Sequence, residues 1–457
     1  MTQTTAVIIG YSLAGACAAR ILSRVCDRVI VVERDELSGD ATPRAGVPQG
    51  RHAHMILDRG RRELEHFFPG FEERIAAKGA VIIDPGLEFA SYGRTGWGPR
   101  SQTSTRVVCA SRDLTDATVR ELAAPASNVE IRQRCEVTAL RVDNLRITGV
   151  DIRDRETHTS ETLSTHLVVD ASGRASKLPA LLEAAGIAVP DETVIDSGTW
   201  YSTRWFERPR SDAWWKAAIM IPTPEGAGAL LMPVEGDRFI VSIATVGRGQ
   251  PDIDEDNYHD ALRKLPSPII AEAVGSPVSP VYGSRSTPNR FRHYDRWLAP
   301  VAGLIPLGDA MCSLNPIHGQ GVSCTAVCAR LFESAVAEAG VRSPTLASRF
   351  IKAQARWLAE PWGVATSFDL RFPATQGKRK LVPKLMMPYM KLFAEAVRTD
   401  VELLRQVAEV GQLNAPMATL MAPRVVARVL QSAVKRGFRT PSYAQRMTAY
   451  PPPTITA

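Results

Sequence analysis

The stretch "AVIIGYSLAGACAARILSRVCDRVIVVERD", residues 6–35, decides the fold. Residues 6–9 form a short apolar run suited to a buried parallel strand, and Gly10 opens a turn. Apolar residues then recur at 13, 14, 17, 18, 21, 22 and 25, the spacing of a helix with one sheet-facing stripe. "RVIVVE" (28–33) reads as a second buried strand ending in an acid. The turn reads Gly10-Tyr11-Ser12-Leu13-Ala14-Gly15, where the dinucleotide-binding spacing is G-x-G-x-x-G. Gly10 permits the tight turn, Gly15 lets helix and strand approach, and the middle position lets backbone amides reach phosphates. Serine at 12 keeps the side chain short and fits if its backbone stays at negative φ. Leu13 and Ala14 then lie in the first turn of a helix whose N-terminus faces a pyrophosphate, and Glu33 is placed for ribose hydroxyls. NAD and FAD share this turn, so a second feature must choose between them.

That feature lies in "GLIPLGDAMCSLNPIHGQGVSCTAVCARLFESAVAEAG", which begins at Gly303. An apolar strand runs into Gly308-Asp309. A loop crosses Pro316 and Gly319-Gln320-Gly321, and apolar positions at 322, 325, 328, 331, 332, 335 and 336 continue as a helix. FAD carries a ribityl chain and an isoalloxazine, so a flavoprotein needs an anchor well beyond the first turn. Asp309 is able to accept hydrogen bonds from ribityl hydroxyls. Amides of 319–321, at a helix start, are able to face the pyrimidine edge of the ring, where negative charge collects on reduction.

Composition bounds the reading. The 457 residues suit two or three packed domains, and 45% hydrophobic with 23% charged residues describes a globular chain. Lys and Arg number 55 against 48 Asp and Glu, a net charge of +7, without a basic tract interleaved with aromatics. Nucleic acid is therefore not the expected partner, while a mild positive field would help to capture an anionic reductant or a carrier-bound substrate. Seven cysteines at 17, 26, 109, 135, 312, 324 and 328 show no metal-type spacing and read as reduced core thiols. No metal site is expected. No apolar run reaches the roughly 18 residues of a membrane span, and no leader pattern precedes the first strand. A cytoplasmic protein without stable membrane insertion is expected, with its oligomeric state left open.

The pair Gly10-x-Ser12-x-Ala14-Gly15 with Glu33, and Gly308-Asp309 with Pro316-x-x-Gly319-Gln320-Gly321, resembles the aromatic-hydroxylase-type (group A-like) FAD-dependent monooxygenases. "VVDASGRAS" (168–176) is similar to that family's internal Asp-Gly motif, with Asp170 and Gly173 in the matching places, and "SRDLTDATV" (111–119) resembles the segment that carries a flavin-contacting Arg112. "PRAGVPQGRHAHMIL" (43–57) resembles the bacterial natural-product tailoring branch that contains polyether olefin epoxidases. The resemblance implies cofactor contacts from Gly10, Ser12, Leu13, Ala14, Gly15, Glu33, Arg34, Arg44, Val47, Gln49, Arg112, Val137, Asp170, Gly308, Asp309, Pro316, Gly319, Gln320 and Gly321. His318 stands where this branch commonly has an aromatic, and Cys328 where an acidic residue is usual.

The implied fold is α/β: a Rossmann-like FAD-binding domain with an inserted antiparallel β-sheet substrate domain and a C-terminal helical region. The expected division is FAD-binding for 1–78, 109–175 and 299–344, substrate-domain strands for 79–108, substrate domain for 176–298 and a helical region for 345–457. The runs "TWYSTRWF", "AAIMIP", "GALLMPV" and "RFIVSIATV" supply the inserted sheet. His54, His318 and Trp205 are the pocket candidates for catalysis, and His52 with Trp200, Trp214 and Trp215 are weighed beside them. For each of these residues, packing or backbone satisfaction is the competing role. Ser23, Ser172 and Ser323 show no nucleophile-elbow context, and "AWWKAAIMIP" lacks the spacing of a flavin-dependent halogenase.

The resemblance implies an FAD-dependent monooxygenase, reduced by NADPH, that epoxidises or hydroxylates a hydrophobic polyene or polyketide, free or carrier-bound, through a flavin C4a-hydroperoxide. Two other functions suit the scaffold: a cyclase of Diels-Alder type with FAD in a structural role, and a non-catalytic FAD-containing escort.

Overall fold

Buried β-runs that end in glycine turns organise the chain, and the computed structural model describes residues 3–93, 96–123, 126–247, 249, 251–284, 287–378, 386–438 and 454–455. The strands Thr5–Ile9 and Arg28–Val32 join a five-stranded parallel sheet with Val129–Arg132 on one side and Leu167–Asp170, then Leu304–Pro306, on the other. Ile9 pairs with Asp170 and Asp170 with Pro306, so three neighbouring strands end flush. Each therefore delivers its following turn, at 10, 171 and 307, to the same edge of the sheet.

The helix Leu13–Leu22 is buried at every position except Arg20. It lies between the sheet and the helix Gly321–Ala339, which explains why its apolar residues exceed one stripe. Val25, expected to extend that stripe, falls beyond the helix and is exposed. A meander of Cys135–Asp143, Arg146–Asp154 and Ser160–Ser164 also contributes to this core.

A seven-stranded sheet holds the expected runs, in the order Tyr282–Ser284, Thr199–Glu207, Arg238–Val246, Gly228–Val234, Ala217–Met220, Phe89–Gly93 and Gly96–Trp97. All its pairings are antiparallel except that of Ala217–Met220 with Phe89–Gly93, because that neighbour arrives from a distant part of the chain. Alternation sorts its two faces. Leu231, Phe239, Val241 and Ile243 pack under the helices Tyr258–Arg263 and Ile269–Ala273. Met232, Val234 and Ile240 pack against a small sheet of His54–Ile56, Val107–Ala110 and Val81–Ile83.

Packing redraws three of the expected boundaries. Among the described residues of 79–108, Phe89–Gly93 and Gly96–Trp97 enter the large sheet, whereas Val81–Ile83 joins the small one. Within 176–298, the helix Leu178–Ala184 and the residues Phe291, Tyr294 and Trp297 belong to the first core. The helix Leu346–Asp369, placed by sequence in the C-terminal region, buries Phe350, Ile351, Leu358 and Ala365 in that core. Its Gln354 bridges the Pro306 carbonyl and the Gly308 amide, at 2.9 Å each. Sequence periodicity identifies the helix but not the surface it covers.

The remaining helices, Met386–Val397, Val401–Gly411 and Pro423–Lys435, share a separate core of Phe393, Leu403, Val410, Val425 and Val429. They dock on Asp58, whose carboxylate is fully buried. It accepts from Asn414 Nδ2 at 2.8 Å, from Arg61 at 2.8 Å and from the Arg106 amide at 3.1 Å, while its own amide donates to Gln412. Burial alone would raise the Asp58 carboxyl, but the Arg61 guanidinium and the Asn414 amide hold it below its ordinary value. Breaking a buried ion pair costs about 3 kcal/mol, so Asp58→Ala should lower stability by that order in urea unfolding. A depressed carboxyl stabilises the fold above its ordinary value of 3.8 and loses that contribution as pH falls further. The gap between wild type and variant should therefore be full at pH 7 and shrink under strongly acidic conditions.

Candidate functional site

The flush strand ends build the site from backbone outward. Gly10 has φ +92°, and a Cβ there would sit 3.1 Å from the Ala171 carbonyl oxygen, so the first turn lies directly on the second. A Cβ at Gly15 would stand 2.0 Å from the Gly10 oxygen, which only glycine avoids. Ser12, by contrast, has φ −90°, so the middle position requires no glycine conformation. Leu13, Ala14 and Gly15 form the first turn of the helix that Ser12 begins.

Ser12 has a role that the glycine pattern does not contain. Its hydroxyl donates to Asp116 Oδ2 at 2.9 Å and accepts from Arg112 Nη2 at 2.6 Å. Arg112 Nε also donates to Asp116 at 3.0 Å, and Arg44 Nη2 reaches the same carboxylate at 3.0 Å. Burial pushes the Asp116 carboxyl up, but Arg112 and Arg44 outweigh it and hold the group below the usual carboxylate range. Two guanidiniums are thus fixed beside the helix N-terminus, where an anion is favoured. Asp116 escaped the sequence reading, although its i,i+4 spacing from Arg112 was the available signal.

Glu33 accepts from the Tyr11 amide at 2.7 Å and the Asp35 amide at 3.0 Å, with Arg44 3.9 Å away. Arg34 donates to the Gly46 carbonyl at 2.8 Å and so ties the 43–57 loop to this turn. Val47 is buried in that loop and Gln49 is exposed on it. Val137 is buried in the meander strand that begins where the Cys135 amide donates to the Glu33 carbonyl.

Asp170 sits differently from the other acids. Its Oδ1 accepts from the Ser172 amide and hydroxyl and its Oδ2 from Ser176, so it shapes the 171–176 turn from within. That turn brings Gly173, φ +74°, to the side of Asp309. Asp309 has no hydrogen-bond partner among the described residues, and burial pushes its carboxyl up despite Arg174 and Arg112 nearby. Gly308, φ +61°, makes the turn that presents it. Pro316 begins the next short turn, Gly319 closes it at φ +65°, and Gly321 starts the long helix facing Asp309. The buried Gln320 Oε1 lacks a partner as well. An unpartnered carboxylate and an unpartnered amide oxygen between two glycine turns form a cradle for hydroxyl and N–H donors, and the ribityl chain and pyrimidine edge of FAD carry such donors. The residues present fit the cofactor.

The three pocket candidates divide. Trp205 donates Nε1–H to the Arg51 carbonyl at 3.1 Å and lies under the Arg238 guanidinium, so it pins the 43–57 loop to the large sheet. Trp214 and Trp215 pack on the helix-covered face. His54 Nδ1 contacts the His52 carbonyl at 2.9 Å, and burial, aided by Arg112, pushes the imidazole down to about 4. His52 bonds Thr203 at 2.8 Å and is likewise pushed down to about 4, by burial and then by Arg51. Both imidazoles are neutral at pH 7. His318 pairs through Nε2 with the buried Asp369, 3.0 Å away. Cys328 is fully enclosed in the helix Gly321–Ala339, where an ionised acid would be costly. All seven thiols are buried and unpaired. Among the described residues no cluster could hold a metal ion, and no helix is long and apolar enough to cross a membrane.

Comparison with known proteins agrees with this geometry. Residues 3–327 match the family described as FAD binding domain. The chain is 29% identical over 418 residues to Protein Rv3254 of Mycobacterium tuberculosis, covering 86% of each chain. It is 25% identical over 338 residues to the kynurenine 3-monooxygenase of Stenotrophomonas maltophilia, covering 69% of this chain and 68% of that one. Its fold is similar to that of the Diels-Alderase PyrE3 of pyrroindomycin biosynthesis, with a TM-score of 0.59 and 17% identity over 89% of this chain and 80% of that one.

Two outcomes test the site. A hydrogen bond to a charged group contributes about 1.5–3 kcal/mol, so Asp309→Ala should weaken FAD binding at least about tenfold, read by flavin fluorescence in titrations of apoprotein. The same variant should melt no lower than wild type without FAD, because it removes a half-buried carboxylate that lacks a hydrogen-bond partner among the described residues. An imidazole depressed to about 4 makes the fold lose stability as pH drops from 6.5 toward 4. His54→Gln should flatten that slope in denaturant titrations.

Proposed function

Because the chain belongs to the FAD binding domain family, we propose that it is an FAD-dependent monooxygenase that oxygenates a hydrophobic natural product at the expense of NADPH. One oxygen atom of dioxygen enters an alkene or an electron-rich ring of the substrate, and the other leaves as water with the two electrons of NADPH. Bound FAD supplies the hydride acceptance and the oxygen activation that amino-acid side chains lack.

The observation that carries this reading is the flush ending of the three strands at Ile9, Asp170 and Pro306. Neighbouring strands lie about 4.8 Å apart, so the Ser12 turn and the Asp309 turn are within reach of one extended dinucleotide. Arg44 and Arg112 would hold the pyrophosphate, Glu33 the adenosine ribose, Asp309 the ribityl hydroxyls, and the 319–321 amides the pyrimidine edge. Contacts from Arg34, Val47, Gln49 and Val137 complete the proposed set around the 43–57 loop and the adenosine. The task of the chain is to position these groups and to exclude water from the reaction. The 43–57 segment and the fold likeness to an enzyme of pyrroindomycin biosynthesis support a polyketide-like substrate, free or carrier-bound.

A second reading keeps the same fold without electron flow: a cyclase that folds a polyene for ring closure beside a structural FAD. It is favoured by the likeness to a Diels-Alderase and by His318 in place of an aromatic. Rapid mixing of holoprotein with NADPH, with and without a polyene or polyketide, separates the two. Substrate-stimulated bleaching of the flavin absorbance, then oxygen-dependent recovery with product heavier by one oxygen atom, is expected. Turnover with flavin oxidised throughout and NADPH unconsumed would replace the oxygenase by the cyclase, and tight ligand binding without turnover would replace both by an escort.

A further inference from the structure

We infer that the C-terminal helices dock on an anionic lipid surface through the exposed face of Pro423–Lys435, which holds the protein at a membrane without crossing it. The inference is independent of the reaction proposed above and concerns where the chain works.

Charge is divided unevenly along the chain. Residues 1–369 carry 41 Lys and Arg against 44 Asp and Glu, whereas residues 370–457 carry 14 against 4, so the positive excess of the whole protein resides in its C-terminal region. No acid follows Glu409. The helix Pro423–Lys435 sorts its side chains onto three sides, as a period of 3.6 residues requires. Val425 and Val429 enter the core shared with Phe393 and Leu403, and Ala433 is buried in line with them. One residue further on at each step, Val426, Leu430 and Val434 form an adjacent apolar stripe, with Leu430 46% and Val434 66% exposed. Arg424, Arg428 and Lys435 share the third side. Arg428 is anchored on Asp400 at 2.5 Å, and Arg424 and Lys435 have no ion-pair partner among the described residues. Gly437, at φ +57°, ends the helix, and the Phe438 amide donates to the Ala433 carbonyl at 2.9 Å. The 61% exposed Phe438 is thereby held at the end of the stripe.

Exposed apolar residues gather here. Among the described residues twelve large apolar side chains are exposed, and six of them, Met390, Met417, Met421, Leu430, Val434 and Phe438, belong to this unit. Single exposed apolar residues are ordinary. A row at i, i+4 and i+8, preceded by two exposed methionines in the turn Met417–Met421, is instead a surface that asks for a partner. Lipid suits this row better than a protein does. A ridge on a convex helix needs no complementary socket in a fluid acyl layer, where apolar side chains enter below the headgroups while long basic side chains reach out to phosphate. The excess of Lys and Arg matches a negatively charged surface, to which each basic residue adds an attraction that salt screens. The 13 residues of the helix span about 20 Å, short of the roughly 30 Å hydrocarbon layer, so the helix lies along the surface.

The test is sedimentation of the full chain, loaded with FAD, with vesicles of phosphatidylcholine and phosphatidylglycerol and with vesicles of phosphatidylcholine alone. Wild type should sediment with the anionic vesicles, stay in solution with the neutral ones and be released progressively by salt. Leu430→Ser combined with Val434→Ser should lower the partition coefficient about tenfold. Arg424→Gln combined with Lys435→Gln should lower it about tenfold as well. All four side chains are exposed, so flavin absorbance and thermal unfolding of both variants should match wild type, which separates lost docking from lost folding. Wild type that stays in solution with anionic vesicles overturns the inference and leaves an acidic protein as the occupant of this face. Equal sedimentation with neutral vesicles, or binding that the apolar variant does not weaken, overturns it too, because the stripe and the charge are required together.

Discussion

Three parallel strands that stop at the same height are the constraint from which the site follows. With Ile9, Asp170 and Pro306 in register, the turns after them touch one another, and the Gly10 backbone lies against Ala171. Side chains have no room at that contact, so glycine is forced at 10 and 15 by backbone oxygen atoms. The same closeness brings Gly173 beside Asp309. A shift of one residue in any of these pairings would separate the two halves of the cradle and turn each strand's core residues to the opposite face.

Upon this frame the charges are arranged in two chemically different ways. Around Ser12 they are already paired: Arg44 and Arg112 share Asp116, and Arg112 also reaches the Ser12 hydroxyl. Around Asp309 they are not, and its carboxyl is raised by burial. A satisfied cluster positions, and an unsatisfied group waits for a donor. His318 combines both features, with Nε2 committed to Asp369 and Nδ1 without a hydrogen-bond partner among the described residues.

Much of this was legible in the chain because it depends on local rules. The strand-turn-helix at 6–33, the Gly308-Asp309 turn and the 319–321 helix start follow from apolar period and glycine placement, and the family follows from their combination. Asp116 was within reach of the i,i+4 rule. Gln354, Asn289 and Asp369 were not, because each is an unremarkable polar residue whose partner lies tens of residues away in the chain. Trp205 and His54 looked like pocket residues by type, yet their polar atoms engage loop carbonyls.

The amino-acid order by itself determined the αβ architecture, the two glycine turns and the kind of cofactor they fit, because hydrophobic period and backbone sterics act over a few residues. Tertiary structure decided which polar groups are satisfied and which are left open. It joined the helix Leu346–Asp369 to the first core and set Asp369 beneath His318. Those outcomes depend on which surfaces meet when distant segments pack, and on how burial strips water from a carboxylate or an imidazole, neither of which is encoded in any short window of sequence.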